Sequence, residues 1–195
     1  MLKSEFFIKD YLNKSSSLLK KLHIFQKEIS LMSSKLADVI KNDKKIMFCG
    51  NGGSAADAQH LSAELIVRLR SNFSRRALPG ISLCLDTSTI TACGNDIGFS
   101  EIFARSLEAI GKEGDALFAL STSGESKNII KAIETAKKKN IQVFSLTGKD
   151  GGKMVDLSDY SIMVPSDITA HIQEAHICLG HLMIHLLEEN VINNS

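Results

Sequence analysis

Apolar side chains recur along this chain with two different periods. Residues 3–42 contain no glycine or proline, and apolar residues from Leu18 to Ile40 follow one another at steps of three or four. This spacing forms one face of a helix. It predicts two helices before the first strand, the second covering this apolar series. The sequence does not decide whether the serines at 15–17 cap the second helix or interrupt the first.

Short apolar runs bounded by turn-forming residues follow, as expected of buried parallel strands. They lie at residues 46–49, 80–85, 115–120, 141–146 and 160–164. Helical patterns begin at Ala55 and after the capping residues Asp86 to Ser88, and recur at about 99–111, 126–139 and 169–190. The order predicts an α/β fold with a doubly wound five-stranded parallel sheet. We expect a single domain, with N-terminal helices at 1–42 and an α/β core at 43–195.

Composition limits the functions that this chain can have. Its 195 residues fit one sizeable α/β domain, and the net charge of +1 gives no sign of a nucleic-acid or membrane partner. The N-terminal residues lack the apolar run of a signal peptide, and no stretch is long enough to span a bilayer. The four cysteines show no C-x-x-C spacing. Reduced thiols and a cytoplasmic location are therefore expected.

The first predicted strand runs into a glycine turn, residues 50–54, which reads Gly-Asn-Gly-Gly-Ser. Such a turn before a helix lets backbone N–H groups approach an anion, and the helix dipole favours negative charge there. The turn is neither a G-x-G-x-x-G motif nor a Walker A loop, because no lysine follows the glycines. It predicts a phosphate site for a ligand smaller than a dinucleotide or a nucleoside triphosphate.

The helix after the glycine turn carries His60 and Glu64 four residues apart, on one face. Imidazole nitrogen and carboxylate oxygen are both good zinc ligands. An isolated H-x-x-x-E spacing is usually an exposed polar pair, but this one follows a strand end, where open α/β sheets bind ligands. The closing helix offers Gln173, His176 and His181 as further ligands, and helical geometry alone does not choose between them.

The third predicted strand runs into a hydroxyl turn, residues 121–126, with four hydroxyl groups around one glycine before a helix. An ordinary helix cap needs one hydroxyl, so the surplus suggests a second anion site. These hydroxyls belong to Ser121, Thr122, Ser123 and Ser126. Weaker candidates are Asn95 and Asp96, predicted in a turn between two glycines, where such residues are often only turn formers.

Several segments together resemble the sugar isomerase (SIS) domain family, and within it the branch that isomerises heptose phosphates. The similar segments cover nearly the whole chain and read CGNGGSAADAQHLSAEL, GNDIGFSEIFAR, STSGESKNIIKAI, LTGKDGGKM and IQEAHICLGH. The resemblance implies a flavodoxin-like fold and a homotetramer that holds zinc, one per subunit, and binds a sugar phosphate at subunit interfaces. Members of the family carry Asp-Arg before the last segment, where this chain has Ala170 and His171.

The resemblance also implies roles for individual residues. The implied metal ligands are His60, Glu64, Gln173 and His181. The implied substrate contacts are Asn51, Gly52, Gly53, Glu64, Asn95, Asp96, Ser121, Thr122, Ser123, Ser126 and Gln173. With Glu64 as catalytic base and His181 as catalytic acid, the expected reaction converts the ketose sedoheptulose 7-phosphate to the aldose D-glycero-D-manno-heptose 7-phosphate through an enediolate. This reaction would begin the synthesis of ADP- or GDP-activated heptose.

A different function is compatible with the same fold, because some relatives are non-catalytic tetramers that bind a replication initiator protein. A scaffold has no physical need for the four metal ligands, and all four are present here. The sequence therefore favours the enzyme. A regulator that senses sugar phosphates would need a DNA-binding domain, and the predicted N-terminal helices lack the basic character of one.

Overall fold

The computed structural model describes residues 3–192. Its elements are α1 (Lys3–Lys21), a 3-10 turn (Leu22–Phe25), α2 (Gln26–Lys41), β1 (Ile46–Gly50), α3 (Gly53–Ile66), β2 (Gly80–Ser82), α4 (Thr87–Asp96), a second 3-10 turn (Phe99–Glu101), α5 (Ile102–Ile110), β3 (Ala116–Ser121), α6 (Lys127–Lys138), β4 (Gln142–Thr147), α7 (Gly152–Leu157), β5 (Tyr160–Met163) and α8 (Thr169–Ile192). Among residues 3–192, none of the helices combines the length and the apolar character that crossing a bilayer requires.

The five strands form one sheet in the order β2-β1-β3-β4-β5, and every neighbouring pair is parallel. The predicted doubly wound five-stranded parallel sheet is therefore confirmed. From β1 the chain first moves outward to β2 and then returns to the other side of β1 to form β3. This reversal opens a crevice beyond the carboxyl ends of β1 and β3, where α/β sheets of this kind bind ligands.

Alternate strand residues face two apolar layers. Phe48 and Phe118 point to the layer formed by α2, α3 and α8. Met47 and Leu117 point to the opposite layer, which α4, α5, α6 and α7 cover. Because helices cover both faces of the sheet, α3 and α6 are held rigidly at the two sides of the crevice.

The two N-terminal helices differ in how they pack. Helix α2 has seven buried residues and covers the sheet beside α8. In α1 the one buried residue is Leu18, while Phe6, Phe7 and Leu12 remain at least 60 % exposed. Helix α2 caps the sheet, and α1 leaves an apolar surface open.

The first helix extends further than the sequence predicted. The serines at 15–17 lie inside α1, and the chain bends later, in the 3-10 turn at Leu22–Phe25. A serine inside a helix is tolerated where its hydroxyl has a partner, and Ser15 Oγ donates to Glu174 Oε2 at 2.5 Å. Tyr11 donates to the other oxygen of Glu174 and packs against the His171 ring. Contacts with α8 therefore hold the serine cluster in a helix.

Three other local predictions were wrong. Strand β2 has three residues instead of six, as is common at a sheet edge. Asn95 and Asp96 are the last residues of α4, not part of a turn, because the helix continues to Asp96 and the chain turns only at Gly98, whose φ of 132° needs a glycine. Helix α7 was missed, because its start, Gly151-Gly152, has the composition of a turn.

Candidate active site

The glycine turn leaves two backbone donors unused. Gly52 has φ 56°, and its carbonyl accepts from the amides of Ala55 and Ala56, which starts α3. Within residues 3–192, the amides of Gly52 and Gly53 have no hydrogen-bond acceptor. A Cβ atom at residue 53 would run into the side-chain amide of Gln173. Glycine is therefore required here for both the backbone conformation and the close approach of α8.

The hydroxyl turn lies at the N-terminus of α6. Ser121 Oγ lies 3.2 Å from Ser126 Oγ and accepts from the Gly124 amide at 3.2 Å. Ser126 is the N-cap residue of α6, but its side chain makes no capping hydrogen bond. The Ser123 hydroxyl accepts from the Glu125 amide at 3.3 Å. Hydroxyl groups in this turn are therefore directed at one another and at the turn rather than used for helix capping.

The two turns face one cavity of about 280 Å³. Its lining combines the glycine turn, the hydroxyl turn and the start of α8: Asn51, Gly52, Gly53, Ser54, Leu120, Ser121, Thr122, Ser123, Ser126, Thr169 and Gln173. Eight of the residues predicted to contact substrate thus come together in this cavity. The N-termini of α3 and α6 both lie at it, which favours an anion.

Three potential metal ligands converge on the neighbouring surfaces of α3 and α8. The Nε2 atoms of His60 and His181 are 2.9 Å apart, and His60 Nε2 lies 3.4 Å from Glu64 Oε1. One donor atom from each of these three residues lies within 4.8 Å of the others. Two nitrogens bound to one tetrahedral zinc ion would be about 3.3 Å apart. Two imidazoles and a carboxylate at this spacing fit a divalent transition metal.

The structure chooses between the two histidines that the sequence left open. His176 is fully buried, and its Nε2 donates to the Thr147 carbonyl at 3.1 Å, so it belongs to the core. Burial lowers the pKa of His176 to about 4. His181 instead faces His60, and partial burial together with His60 lowers the pKa of His181. Both rings therefore favour the neutral form, and the ring at 181 is the one available to a metal.

Two predicted site residues lie elsewhere on this chain. Asn95 and Asp96 are exposed at the end of α4, where Asn95 Nδ2 donates to Asp96 Oδ1 at 2.7 Å. Asp96 lines a separate, mostly apolar cavity of about 570 Å³ between β2, α4 and α5. Gln173 lines the cavity of the two turns, against Gly53. A single chain therefore brings the glycine turn, the hydroxyl turn and Gln173 together, and leaves Asn95 and Asp96 apart.

Sequence reasoning missed two polar residues, of which one lines the cavity and the other is bonded to a residue that lines it. Asn128 is buried in the first turn of α6 and exchanges two hydrogen bonds with Asn51. Thr169, the first residue of α8, lines the cavity beside Gln173. An asparagine two residues after the hydroxyl turn could have been noticed, but its partner lies 77 residues away. Nothing in the local pattern indicates that pair.

Comparison with known proteins agrees with the fold. The SIS domain family matches residues 10–148. A phosphoheptose isomerase of Nitratiruptor is 52 % identical over 153 residues, 78 % of this chain and 81 % of that protein. That of Sulfurimonas denitrificans is 42 % identical over 193 residues, 99 % of this chain and 94 % of that protein. The solved structure of a phosphoheptose isomerase from Francisella tularensis superposes with a TM-score of 0.92 at 34 % identity and covers 96 % of this chain and 100 % of that one. The chain therefore belongs to the SIS domain family and, within it, to the phosphoheptose isomerases.

Proposed function

We propose that this protein converts sedoheptulose 7-phosphate to D-glycero-D-manno-heptose 7-phosphate. Membership of the phosphoheptose isomerases makes it an isomerase, and the name of these relatives supports a seven-carbon sugar phosphate as the substrate. The observation that carries the proposal is the cavity at the carboxyl ends of β1 and β3. It combines two helix N-termini, a group of hydroxyls and two glycine amides that have no acceptor within residues 3–192. The helices α3 and α8, which contribute to its lining, also carry the histidine and carboxylate cluster.

The phosphate group is proposed to bind at the hydroxyl turn. Hydroxyls and backbone N–H groups at a helix N-terminus hold a phosphate monoester without a lysine. Ser121, Thr122, Ser123 and Ser126 would donate to its oxygens, with the N-terminus of α6 behind them. The amides of Gly52 and Gly53 are left for the oxygens of the sugar. This arrangement would fix the distance between the phosphate and the reacting end of the substrate.

The reaction moves a proton from C1 to C2 and redistributes protons between the two oxygens. We assign the removal of the C1 proton to the Glu64 carboxylate, whose side chain is 17 % exposed. We assign the transfer of protons at the oxygens to the His181 imidazole, because a neutral ring can both accept and donate a proton. Both groups lie within one cluster, so the same face of the substrate could meet base and acid.

A divalent metal, zinc by family resemblance, is proposed to be held by His60, Glu64 and His181, with Gln173 as a fourth ligand. When bound, zinc would polarise the carbonyl group of the substrate. Gln173 lies eight residues before His181, about 12 Å along α8, and its amide already lies at the cavity of the two turns. A metal shared by these residues would join the phosphate cavity to the histidine and carboxylate cluster.

The active unit is proposed to be a homotetramer with its sites at subunit interfaces. The apolar surface of α1, with Phe6, Phe7 and Leu12 exposed, supports packing against another subunit. Asn95 and Asp96 lie away from the cavity of the two turns within one chain. If they contact substrate, they do so in the cavity of a neighbouring subunit.

The test supplies sedoheptulose 7-phosphate and follows aldose formation by NMR in heavy water. Wild-type protein should form the aldose and exchange deuterium into C1. Glu64→Gln should lose at least about 10²-fold in both rates, because an amide keeps the size but does not accept a proton at neutral pH.

Zinc is kept saturating and the metal content is measured, so that loss of the base is separated from loss of the ion. Glu134→Gln, a change at a partly exposed residue of α6 outside the cavity lining, is the matched control and should retain activity. If Glu64→Gln exchanges the C1 proton at the wild-type rate, Glu64 is not the base. If wild-type protein neither turns over nor exchanges, the non-catalytic scaffold is the better explanation.

A further inference from the structure

A reciprocal pair of side-chain amides links the two turns at the cavity. Asn51 Nδ2 donates to Asn128 Oδ1 at 2.9 Å, and Asn128 Nδ2 donates to Asn51 Oδ1 at 2.8 Å. Asn128 is 3 % exposed, whereas Asn51 is half-buried at the cavity. The backbone amide of Ile129 donates to Asn128 Oδ1 as well, at 3.0 Å. This third bond fixes which side of the Asn128 amide is oxygen, because an N–H needs an acceptor.

The Asn51–Asn128 pair joins the glycine turn to the start of α6. Without this pair, each of these segments would be held mainly by the strand that precedes it. Strands β1 and β3 are paired as far as Gly50 and Leu120. Beyond these residues the chain forms the glycine turn on one side and the hydroxyl turn on the other. Asn51 is the first residue after β1, and Asn128 lies in the first turn of α6. Their amides therefore connect the glycine turn to the first turn of α6, directly after the hydroxyl turn, and both of these turns face the same cavity.

The bonds also limit what the Asn51 side chain can do for a ligand. Its carbonyl oxygen and one of its two N–H hydrogens are used by Asn128. At most one side-chain hydrogen remains for substrate. The Gly52 and Gly53 amides, in contrast, have no acceptor in the described part of the chain. The glycine turn therefore contributes to binding mainly through its backbone amides. The hydrogen bonds of the Asn51 side chain hold that backbone in position.

We infer that Asn128 is a positioning residue for the phosphate-binding cavity: it holds Asn51, and with it the Gly52 and Gly53 amides, in register with the hydroxyl turn. The inference rests on the proposed function in that it takes the cavity as the site of a phosphate ester. No other side chain of similar size forms the same pair of hydrogen bonds with the Asn51 amide. Leucine would leave both amide groups of Asn51 unpaired, and an aspartate would direct an oxygen at Asn51 Oδ1 and bring negative charge to the cavity.

The test is a double-mutant cycle with Asn51→Ala, Asn128→Ala and the double variant. The dissociation constant of inorganic phosphate is measured by calorimetry, together with KM and kcat for sedoheptulose 7-phosphate. Each single change should raise the phosphate Kd by roughly 3- to 10-fold, the effect of losing one or two neutral hydrogen bonds. The double variant should be no worse than the weaker-binding single variant, and KM should rise more than kcat falls.

Two further variants separate positioning from loss of stability. Ile133→Val removes a buried methyl group from the core side of the same helix α6, at a residue that does not line the cavity. It should lower the melting temperature and leave the phosphate Kd unchanged. Asn128→Asp keeps the size and both accepted bonds but cannot donate when ionised, so it should bind phosphate more weakly than Asn128→Ala. If Asn128→Ala does not fold, Asn128→Ser completes the same cycle.

Three results would overturn the inference. The first is that the two alanine changes raise the phosphate Kd by independent factors, which multiply in the double variant. The second is that Asn128→Ala lowers stability but leaves the phosphate Kd unchanged, and the third is that the wild-type protein does not bind inorganic phosphate. Multiplied effects would mean that the two residues contact the ligand independently. A non-additive cycle in a protein that does not isomerise sedoheptulose 7-phosphate would support the positioning role and refute the proposed function. The two failures can therefore be told apart.

Discussion

The carboxylate of Glu188 is buried in α8, and three donors share it. Its Oε1 accepts from Arg75 Nε at 2.7 Å and from the Leu69 amide at 3.3 Å, and its Oε2 accepts from Arg70 Nε at 3.1 Å. The side chains of Glu188 and Arg75 are both 0 % exposed. Arg75 also donates to the backbone carbonyl of Glu64, near the C-terminal end of α3. This ion cluster therefore holds the C-terminal end of α3, the helix that carries the proposed base Glu64, against α8.

Replacing Glu188 by glutamine keeps the shape and one acceptor oxygen but removes the charge that Arg75 faces. Removing one partner of a buried ion pair costs about 3–5 kcal/mol, because the remaining charge stays buried without a counterion. For a chain of this size, each kcal/mol lowers the melting temperature by about 2–4 °C. We therefore expect Glu188→Gln to melt roughly 6–20 °C below the wild-type protein.

The matched control is Glu108→Gln, which removes a carboxylate that pairs with Arg105 at 2.9 Å while both side chains are more than half exposed. A surface pair of this kind contributes below about 1 kcal/mol. Urea unfolding and calorimetry at equal protomer concentration give the free energy of unfolding and the melting temperature of each variant. A loss for Glu188→Gln that is no larger than the loss for Glu108→Gln would refute the reasoning.

Four other outcomes are expected. His176 titrates near pH 4 when folded and near 6.5 when unfolded, so its contribution to stability is complete above pH 6.5 and is lost as the pH falls toward 4. Between pH 7 and 5 this amounts to roughly 2 kcal/mol in urea unfolding, and His176→Gln should flatten that dependence; an equal slope in both proteins would contradict it. Ser123→Ala should raise KM about 5-fold through the loss of a hydrogen bond to phosphate, and an unchanged KM, with Ser121→Ala also silent, would move the phosphate elsewhere. Elemental analysis should find one zinc per chain and less in His181→Ala, whereas a metal-free protein indifferent to chelators would count against the metal site. Light scattering should give a tetramer that Phe7→Asp dissociates, and a monomeric wild-type mass at micromolar concentration would exclude it.

Much of the fold follows from local patterns. Apolar runs predicted all five strands, and the bounds of four of them differ from the structure by no more than one residue at either end, as at Ile46–Gly50. The apolar period of three to four identified α2, and the glycine turn and the Asp86 cap marked helix starts. These signals are local because turn chemistry and side-chain periodicity act over a few neighbouring residues. They also predicted the His60 and Glu64 pair, since both residues belong to one helix.

Local patterns failed where a distant contact decides the conformation. The serine cluster stays helical because Ser15 donates to Glu174 on α8. Helix α7 begins at glycines that read as a turn, and Gly151 in the left-handed region starts it. The edge position of β2 shortened the strand that its apolar residues predicted. In each case the local pattern was compatible with more than one conformation, and contacts within the folded chain selected one.

The site shows the same division. The sequence by itself determined which groups could bind: the glycine turn, the hydroxyl turn, and a histidine and a carboxylate on one helix face. Only the tertiary structure decided that His181, 121 residues from His60, faces the pair while His176 enters the core. It also joined Asn51 to Asn128 across 77 residues. Such contacts depend on the strand order and on how α3, α6 and α8 cross the sheet. A periodic pattern within one segment of the sequence indicates neither of these.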